Sequence, residues 1–218
     1  MRLLLVRHGQ TIDNVNGDLG TVVPGPPLTE LGEEQAAAIP AALADEKIEA
    51  IYASTMQRTS LTALPLAAAT GLEVEILDGL QEIRAGIFEG KSDKDSVRGY
   101  MGTIISWWQD SAARVRGGES GDEFFARFTN AIARAAAAHD GTVAVFSHGA
   151  AIRTWASAIS KNIDEAFSRV HELPNTAMIV LEGSPTDGWT ATHWNGEPVG
   201  GEALDDPTAP DPTGGADA

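Results

Sequence analysis

The chain has 218 residues, 43% of them hydrophobic, with a formal net charge of −16 and no cysteine. That length and apolar content suit one soluble globular domain with a substantial core, and no apolar run is long enough to span a bilayer. The acidity argues against a nucleic-acid partner, because phosphate backbones are held by clustered Lys and Arg, and zero Cys excludes a disulfide framework, a thiolate nucleophile and a Cys-based metal site.

Met1-Arg2 leads straight into the first apolar run, which leaves no room for an export signal ahead of it, and the expected location is cytoplasmic. Apolar runs bounded by turn residues predict strands at Arg2–Val6, Ile48–Ala53, Leu72–Leu77, Thr142–Ser147 and Ala177–Leu181. Helical patterns fall between most of them. Thr29 is placed to cap a helix over Leu31–Leu43, in which Pro40 is a candidate bend. A second helix is expected over Met56–Ala69 with Gly71 as its stop, although Pro65 lies inside it. Asp122–Ala138 carries Phe124, Phe125, Phe128 and Ile132 on one prospective buried face, and a further helix follows His148. Trp189–Trp194 alternates as a strand would, and is expected to form a hairpin with Ala177–Leu181.

This alternation predicts an α/β fold: a three-layer sandwich with a central, mostly parallel sheet flanked by helices. The predicted domain is 1–195. Residues 196–218 shift to Gly, Pro, Asp and Glu with no Lys or Arg, and read as a flexible acidic tail.

Two strand ends carry the chemistry. Leu3-Leu4-Leu5-Val6 delivers Arg7-His8-Gly9-Gln10-Thr11 onto a glycine turn, and Val143-Ala144-Val145-Phe146 delivers Ser147-His148-Gly149 in the same way. In so acidic a protein, any phosphate pocket must be a local island of positive charge. Arg7, Arg58 and His148 are candidates for that island. His8 is the candidate nucleophile, since nearby cations disfavour its protonation and leave a lone pair available. Glu82, in a loop after the third strand, is the candidate proton carrier, and Glu89 a weaker one. Thr11 and Asn14 either satisfy turn amides or reach phosphate. His139 reads as a helix-end residue, His193 as strand surface, and His171 as structural support.

These segments resemble the histidine phosphatase superfamily, which includes the phosphoglycerate mutases. Arg7-His8-Gly9 with Thr11 and Asn14 resembles the family's "RHGxTxxN" motif, and Pro27-Leu28-Thr29-Glu30-Leu31-Gly32 its "pLTelG" stretch. Ser54 through Ala63 resembles "SxxxRxxxTA", Glu82 through Gly90 the "ExxxGxxEG" loop, Gly118-Glu119-Ser120 a "GES", and Ser147-His148-Gly149 the second-histidine "SHG". The resemblance implies a phosphoglycerate mutase-like fold and a metal-independent, cofactor-free phosphatase. His8 would be phosphorylated in turnover and Glu82 would move the proton. Arg7, Thr11, Asn14, Arg58, His148 and Gly149 would hold the substrate, a small phosphate monoester. Neither a nucleic acid nor a membrane is expected as partner. The resemblance also allows a homodimer, although no self-complementary patch is identifiable.

Three alternatives stand beside this reading. A phosphoglycerate mutase would use the same core, but mutases resemble "ERHYG" after the acid, and here Glu82-Ile83-Arg84-Ala85-Gly86 puts Ile and Ala where Arg and Tyr are expected. A silent phosphate-binding module is disfavoured because His8, His148, Arg7 and Arg58 are all kept. A metal centre on His8, His148 and Glu82 would set a dication beside two arginines. Lys91, Lys94, Arg98, Arg114 and Arg116, with Trp107 and Trp108, fall where the family varies its cap over the pocket. They read equally as substrate-recognising groups or as an ordinary amphipathic surface.

Overall fold

The architecture is that of a computed structural model, which describes residues 1–215. Six strands form one sheet in the order β3-β2-β4-β1-β5-β6. They are β1 (Arg2–Arg7), β2 (Ile48–Ala53), β3 (Val74–Ile76), β4 (Thr142–Ser147), β5 (Met178–Ser184) and β6 (Gly188–Trp194). β1 pairs with β4, β4 with β2 and β2 with β3, all parallel; β5 and β6 complete the sheet antiparallel. The unbroken apolar run of β1 matches its place, because a parallel strand covered on both faces has no need to alternate.

Alternate residues of β1 feed opposite cores. Leu3 and Leu5 pack with α4 (Lys94–Ser106), α5 (Gly121–Ala138) and α6 (Gly149–Ile159), through Ile104, Phe128 and Trp155 among others. Leu4 and Val6 face α2 (Glu30–Ala42) and α3 (Gln57–Thr70), through Ile39, Ala63 and Leu66. The three predicted layers are therefore present.

Thr29 caps α2 by accepting a hydrogen bond from the Gly32 amide at 3.1 Å. Pro40 and Pro65 each lie within an unbroken helix, so the expected interruptions do not occur. β3 is shorter than predicted because it is an edge strand with a single partner, which leaves its ends unheld. Three helices lack a signal strong enough to predict: α4, and the short α1 (Ile12–Asn16) and α7 (Glu165–Val170). Among the described residues no helix is long and apolar enough to cross a membrane.

The acidic segment follows a course that composition does not suggest. Residues 196–215 return across the carboxyl ends of β1 and β4. Leu204 O accepts from Gln35 Nε2 at 2.8 Å, and Gly214 O accepts from the Leu173 amide at 2.9 Å. Low apolar content disfavours a core, but it leaves carboxylates and carbonyls free to bind buried donors, and those donors fix the segment. The last part of the predicted tail, 216–218, lies outside the described residues.

Candidate active site

The predicted site residues converge at the carboxyl ends of the parallel strands, where open α/β sheets place their ligands. Arg7 ends β1 and His8 follows it; Ser54 and Arg58 follow β2; His148 follows β4 and caps α6; Glu82 comes from the loop after β3. His8, Arg58, Glu82, Asn14 and Thr11 line one cavity, and Asp13 and Thr213 join them.

The His8 and His148 rings lie 5.2 Å apart between centroids. Nδ1 of His8 is 2.8 Å from Gly9 O. A carbonyl oxygen only accepts, so Nδ1 carries the proton and Nε2 presents a lone pair. Burial, then the charges of Arg58 and Arg7, push the His8 pKa well below 6.5, so the ring is neutral at neutral pH. His148 is likewise held neutral, by burial and by Arg58. Its Nδ1 accepts from Arg58 Nε at 3.2 Å and its Nε2 lies 2.8 Å from Ser54 Oγ. Both its nitrogens thus have protein partners, and in this arrangement His148 orients Arg58.

Arg7 and Arg58 are almost fully buried, and Arg7 Nε and Arg58 Nη1 have no hydrogen-bond partner among the described residues. Burial lowers the Arg58 pKa to about 10, partly offset by Glu82 and Asp13. Buried guanidinium donors left unfilled are what a multidentate oxyanion would satisfy.

Glu82 is buried against the first turn of α6. Its carboxylate accepts from the amides of Ala150 at 3.1 Å, Ala151 at 2.8 Å and Ile83 at 2.8 Å. Burial raises its pKa above 4.5 in spite of those bonds and of Arg58. A carboxyl so placed can exist in either protonation state, which is what a proton carrier requires.

The backbone of the Glu82 loop is clamped from below. Arg127, on α5, donates to Gly79 O and Gln81 O at 2.8 Å and to Glu82 O at 3.0 Å. Its guanidinium is paired at 2.6 Å with Glu119, which in turn accepts from the Arg84 amide at 2.9 Å. Arg127 carries no sequence signal beyond being one arginine on an amphipathic helix, whereas Glu119 belongs to the "GES" stretch.

Thr11 and Asn14 serve the local turn: Asn14 Oδ1 accepts from the Thr11 amide at 2.9 Å and from its hydroxyl at 3.0 Å. Asn14 Nδ2 points the other way, 3.4 Å from Asp211 Oδ1. Glu89 pins a neighbouring loop by accepting from the amides of Thr21 at 2.7 Å and Val22 at 3.0 Å. Gly149 is required by crowding, since a Cβ there would lie 2.8 Å from Thr213 O and 3.0 Å from Arg7 Nε. Lys91, Lys94, Arg98, Arg114 and Arg116 are all exposed, and Arg98 and Arg114 pair with Asp95 and Glu123. Trp107 is core, and Trp108 lines a cavity described below. Among the remaining histidines, His139 ends α5 beside the Tyr52 hydroxyl, His193 is exposed on β6, and His171 stacks on Phe167.

The acidic segment supplies what sequence reasoning missed. Asp211 Oδ2 lies 2.5 Å from Arg7 Nη1, and Thr213 Oγ1 accepts from Arg7 Nη2 at 3.2 Å. Burial opposes the charge on Asp211, but Arg7 and the hydrogen bonds from Thr213 hold its pKa below 3.8. With this segment in place the cavity beside His8 measures about 20 Å³, room for about one water. No group of three or more His, Asp and Glu side chains is placed to hold a metal ion among the described residues.

Comparisons with known proteins place the chain in a family. PE-PGRS family protein PE_PGRS11 of Mycobacterium tuberculosis is 37% identical over 223 residues, covering 94% of this chain; the chain spans only 38% of that protein's length. Phosphoserine phosphatase 1 of Hydrogenobacter thermophilus is 31% identical over 155 residues, 70% of this chain and 73% of that one. The solved structure of a mycobacterial glucosyl-3-phosphoglycerate phosphatase superposes with a TM-score of 0.75 at 26% identity, covering 89% of this chain and 98% of the other. The family model described as "Histidine phosphatase superfamily (branch 1)" matches residues 3–197, a span that holds both histidine motifs, both arginines and the Glu82 loop; the chain belongs to that superfamily.

Proposed function

We propose that this chain is a phosphatase that hydrolyses a small phosphate monoester through a phosphohistidine formed on His8. The observation that carries the reading is the state of His8: a buried, neutral imidazole beside two guanidinium groups, with its proton on Nδ1 donated to Gly9 O and its Nε2 lone pair left free. Nε2 attacks phosphorus, the bond from phosphorus to the leaving oxygen breaks, and the proton of the Glu82 carboxyl passes to that oxygen. Water then attacks the phosphoryl-histidine and gives its proton to the Glu82 carboxylate. Inorganic phosphate leaves and both groups return to their starting states. Arg7 and Arg58 neutralise the phosphoryl oxygens throughout, with His148 orienting Arg58. Their unfilled donors support that role, and the relatives named for phosphoserine and glucosyl-3-phosphoglycerate support a small monoester as substrate.

Hydrolysis is favoured over mutase chemistry by the loop after Glu82. Ile83 and Ala85 are buried, and Arg84 is exposed, so that loop turns no cation toward a second phosphate. The test is chemical. A ³²P-labelled monoester mixed with the enzyme and quenched into alkaline detergent should leave label on the protein, absent from His8→Ala, and phosphorus NMR should show inorganic phosphate accumulating from 3-phosphoglycerate. Turnover by His8→Ala at the wild-type rate, or accumulation of the 2-isomer, would overturn the reading.

A further inference from the structure

A second cavity, about 280 Å³, lies between α4, α6 and α7. Met101, Ile104, Ile105 and Trp108 give it an apolar wall; Arg153 and Thr154 give it a polar one. The acidic segment runs between it and the His8 cavity, for Gly215 walls the one and Thr213 the other, beside the contact of the Ala150 amide with Glu82. The segment also holds an arginine on each side. Asp211 and Thr213 bind Arg7, while the carbonyls of Thr213 and Gly215 accept from Arg153 Nη1 at 3.2 Å and 2.7 Å.

Arg153, like Arg58, is a buried cation with no ion-paired carboxylate among the described residues. It is 6% exposed, its remaining bond runs to Ser168 O at 2.7 Å, and its Nε has no partner among the described residues. No carboxylate lies within ion-pairing distance of it among those residues. Arg169, at the same cavity, already faces Glu165 at 3.6 Å. Among the described residues Arg153 is therefore a buried guanidinium served only by carbonyls, with no carboxylate of those residues against its charge at close range. Burial accordingly lowers its pKa to about 10.

We propose that the substrate enters along the path this segment now fills, with its phosphoryl group beside Arg7 and its leaving group in the 280 Å³ cavity, where Arg153 binds a second anionic group. This rests on the phosphatase reading and deepens it. A phosphoryl group cannot fit a space the size of one water, so the segment must shift before the ester binds. That shift releases the segment's contacts with both arginines together, while Leu173 O and Ser168 O still hold Arg7 and Arg153 in place. A substrate with an anion at each end recovers both sets of interactions, whereas one with an uncharged leaving group recovers only the first. The substrate class is thus a phosphate monoester of a small hydroxy acid or of a comparably anionic alcohol.

The matched pair 3-phosphoglycerate and glycerol 3-phosphate tests this on the full chain, since the two differ by a carboxylate in place of a hydroxymethyl group. Wild type is expected to favour 3-phosphoglycerate by about tenfold or more in kcat/KM. Arg153→Met should bring that ratio close to one, and Arg153→Lys should keep part of it. Ile105→Trp narrows the cavity without touching the guanidinium, and should raise KM for both esters while the ratio stands. Equal kcat/KM for the pair in wild type, a preference that survives Arg153→Met, or an unchanged KM in Ile105→Trp would each overturn the proposal. If neither ester is hydrolysed, the phosphatase reading fails on its own. Calorimetric binding of the same pair to wild type and Arg153→Lys then still decides the subsite, with equal affinities counting against it.

Discussion

Asp211 places a carboxylate 2.5 Å from the Arg7 guanidinium, the cation proposed above to hold phosphate. On that proposal Asp211 and an incoming anion would compete for one group. Asp211→Asn should tighten inhibition by inorganic phosphate by about tenfold, because the neutral amide is a weaker rival. Gly214→Ala should act in the same direction by crowding, since a Cβ there would lie 2.0 Å from Arg7 Nη1. Unaltered phosphate inhibition in both variants would show that the segment and the anion bind independently.

The protonation states of His8 and Glu82 set the pH profile. His8 must be neutral to attack, and its pKa lies well below 6.5; Glu82 must be protonated to donate, and its pKa lies above 4.5. On the proposed mechanism, activity should fall on the acid side as His8 charges and on the alkaline side as Glu82 ionises. We expect kcat/KM for an alkyl phosphate to decline as pH rises through the Glu82 pKa. With Glu82→Gln and an activated aryl phosphate, whose leaving group needs no proton, that alkaline limb should vanish. Its persistence would assign the limb to another group.

The same histidines make stability depend on pH. Above 6.5 they are neutral in the folded and unfolded chains alike. Below 6.5 the unfolded chain takes up protons that the buried rings of His8 and His148 refuse, so the native state loses up to about 1.4 kcal/mol per pH unit for each ring until the depressed folded pKa is reached. Urea midpoints at pH 7 and pH 5.5 should show this loss, and His8→Asn should reduce it. An equal loss in the variant would remove His8 from the account.

Arg127 does not itself line the His8 cavity, yet it fixes the backbone on which Glu82 sits. Arg127→Met should lower kcat by about ten- to a hundredfold with little change in KM, and should destabilise the fold by about 3–5 kcal/mol because buried Glu119 loses its partner. An activated aryl phosphate should recover most of the lost rate, which a merely unstable enzyme would not allow. Equal losses on both substrates would give Arg127 a purely structural role.

Much of this site was legible because its parts sit at strand ends, where an apolar run stops and chemistry begins. β1 and β4 are such runs, and His8 and His148 follow them directly. Arg58 and Glu82 drew most of their signal from the family's spacing, since one arginine on a helix and one acid among many carry little on their own. The clamp from Arg127 was hidden because its partners are backbone carbonyls, to which a sequence gives no address. The docking of Asp211 was hidden for a different reason. Composition reports how little apolar surface a segment can bury, and it is silent on the unmet donors waiting elsewhere in the fold. Pro40 and Pro65 show the converse, local breakers overruled by packing on both neighbouring turns.

Arg2 and Thr142 stand opposite one another where β1 meets β4, and that pairing runs on to Arg7 and Ser147. The two imidazoles, tilted 59° to one another, are thus brought together by the joining of strands far apart in sequence, an entropically costly closure. A partly refolded chain with native helices but an unjoined sheet would hold neither ring in place. Regain of turnover after dilution from urea should consequently lag behind regain of helical circular dichroism, which makes catalysis a clock for the last step of assembly.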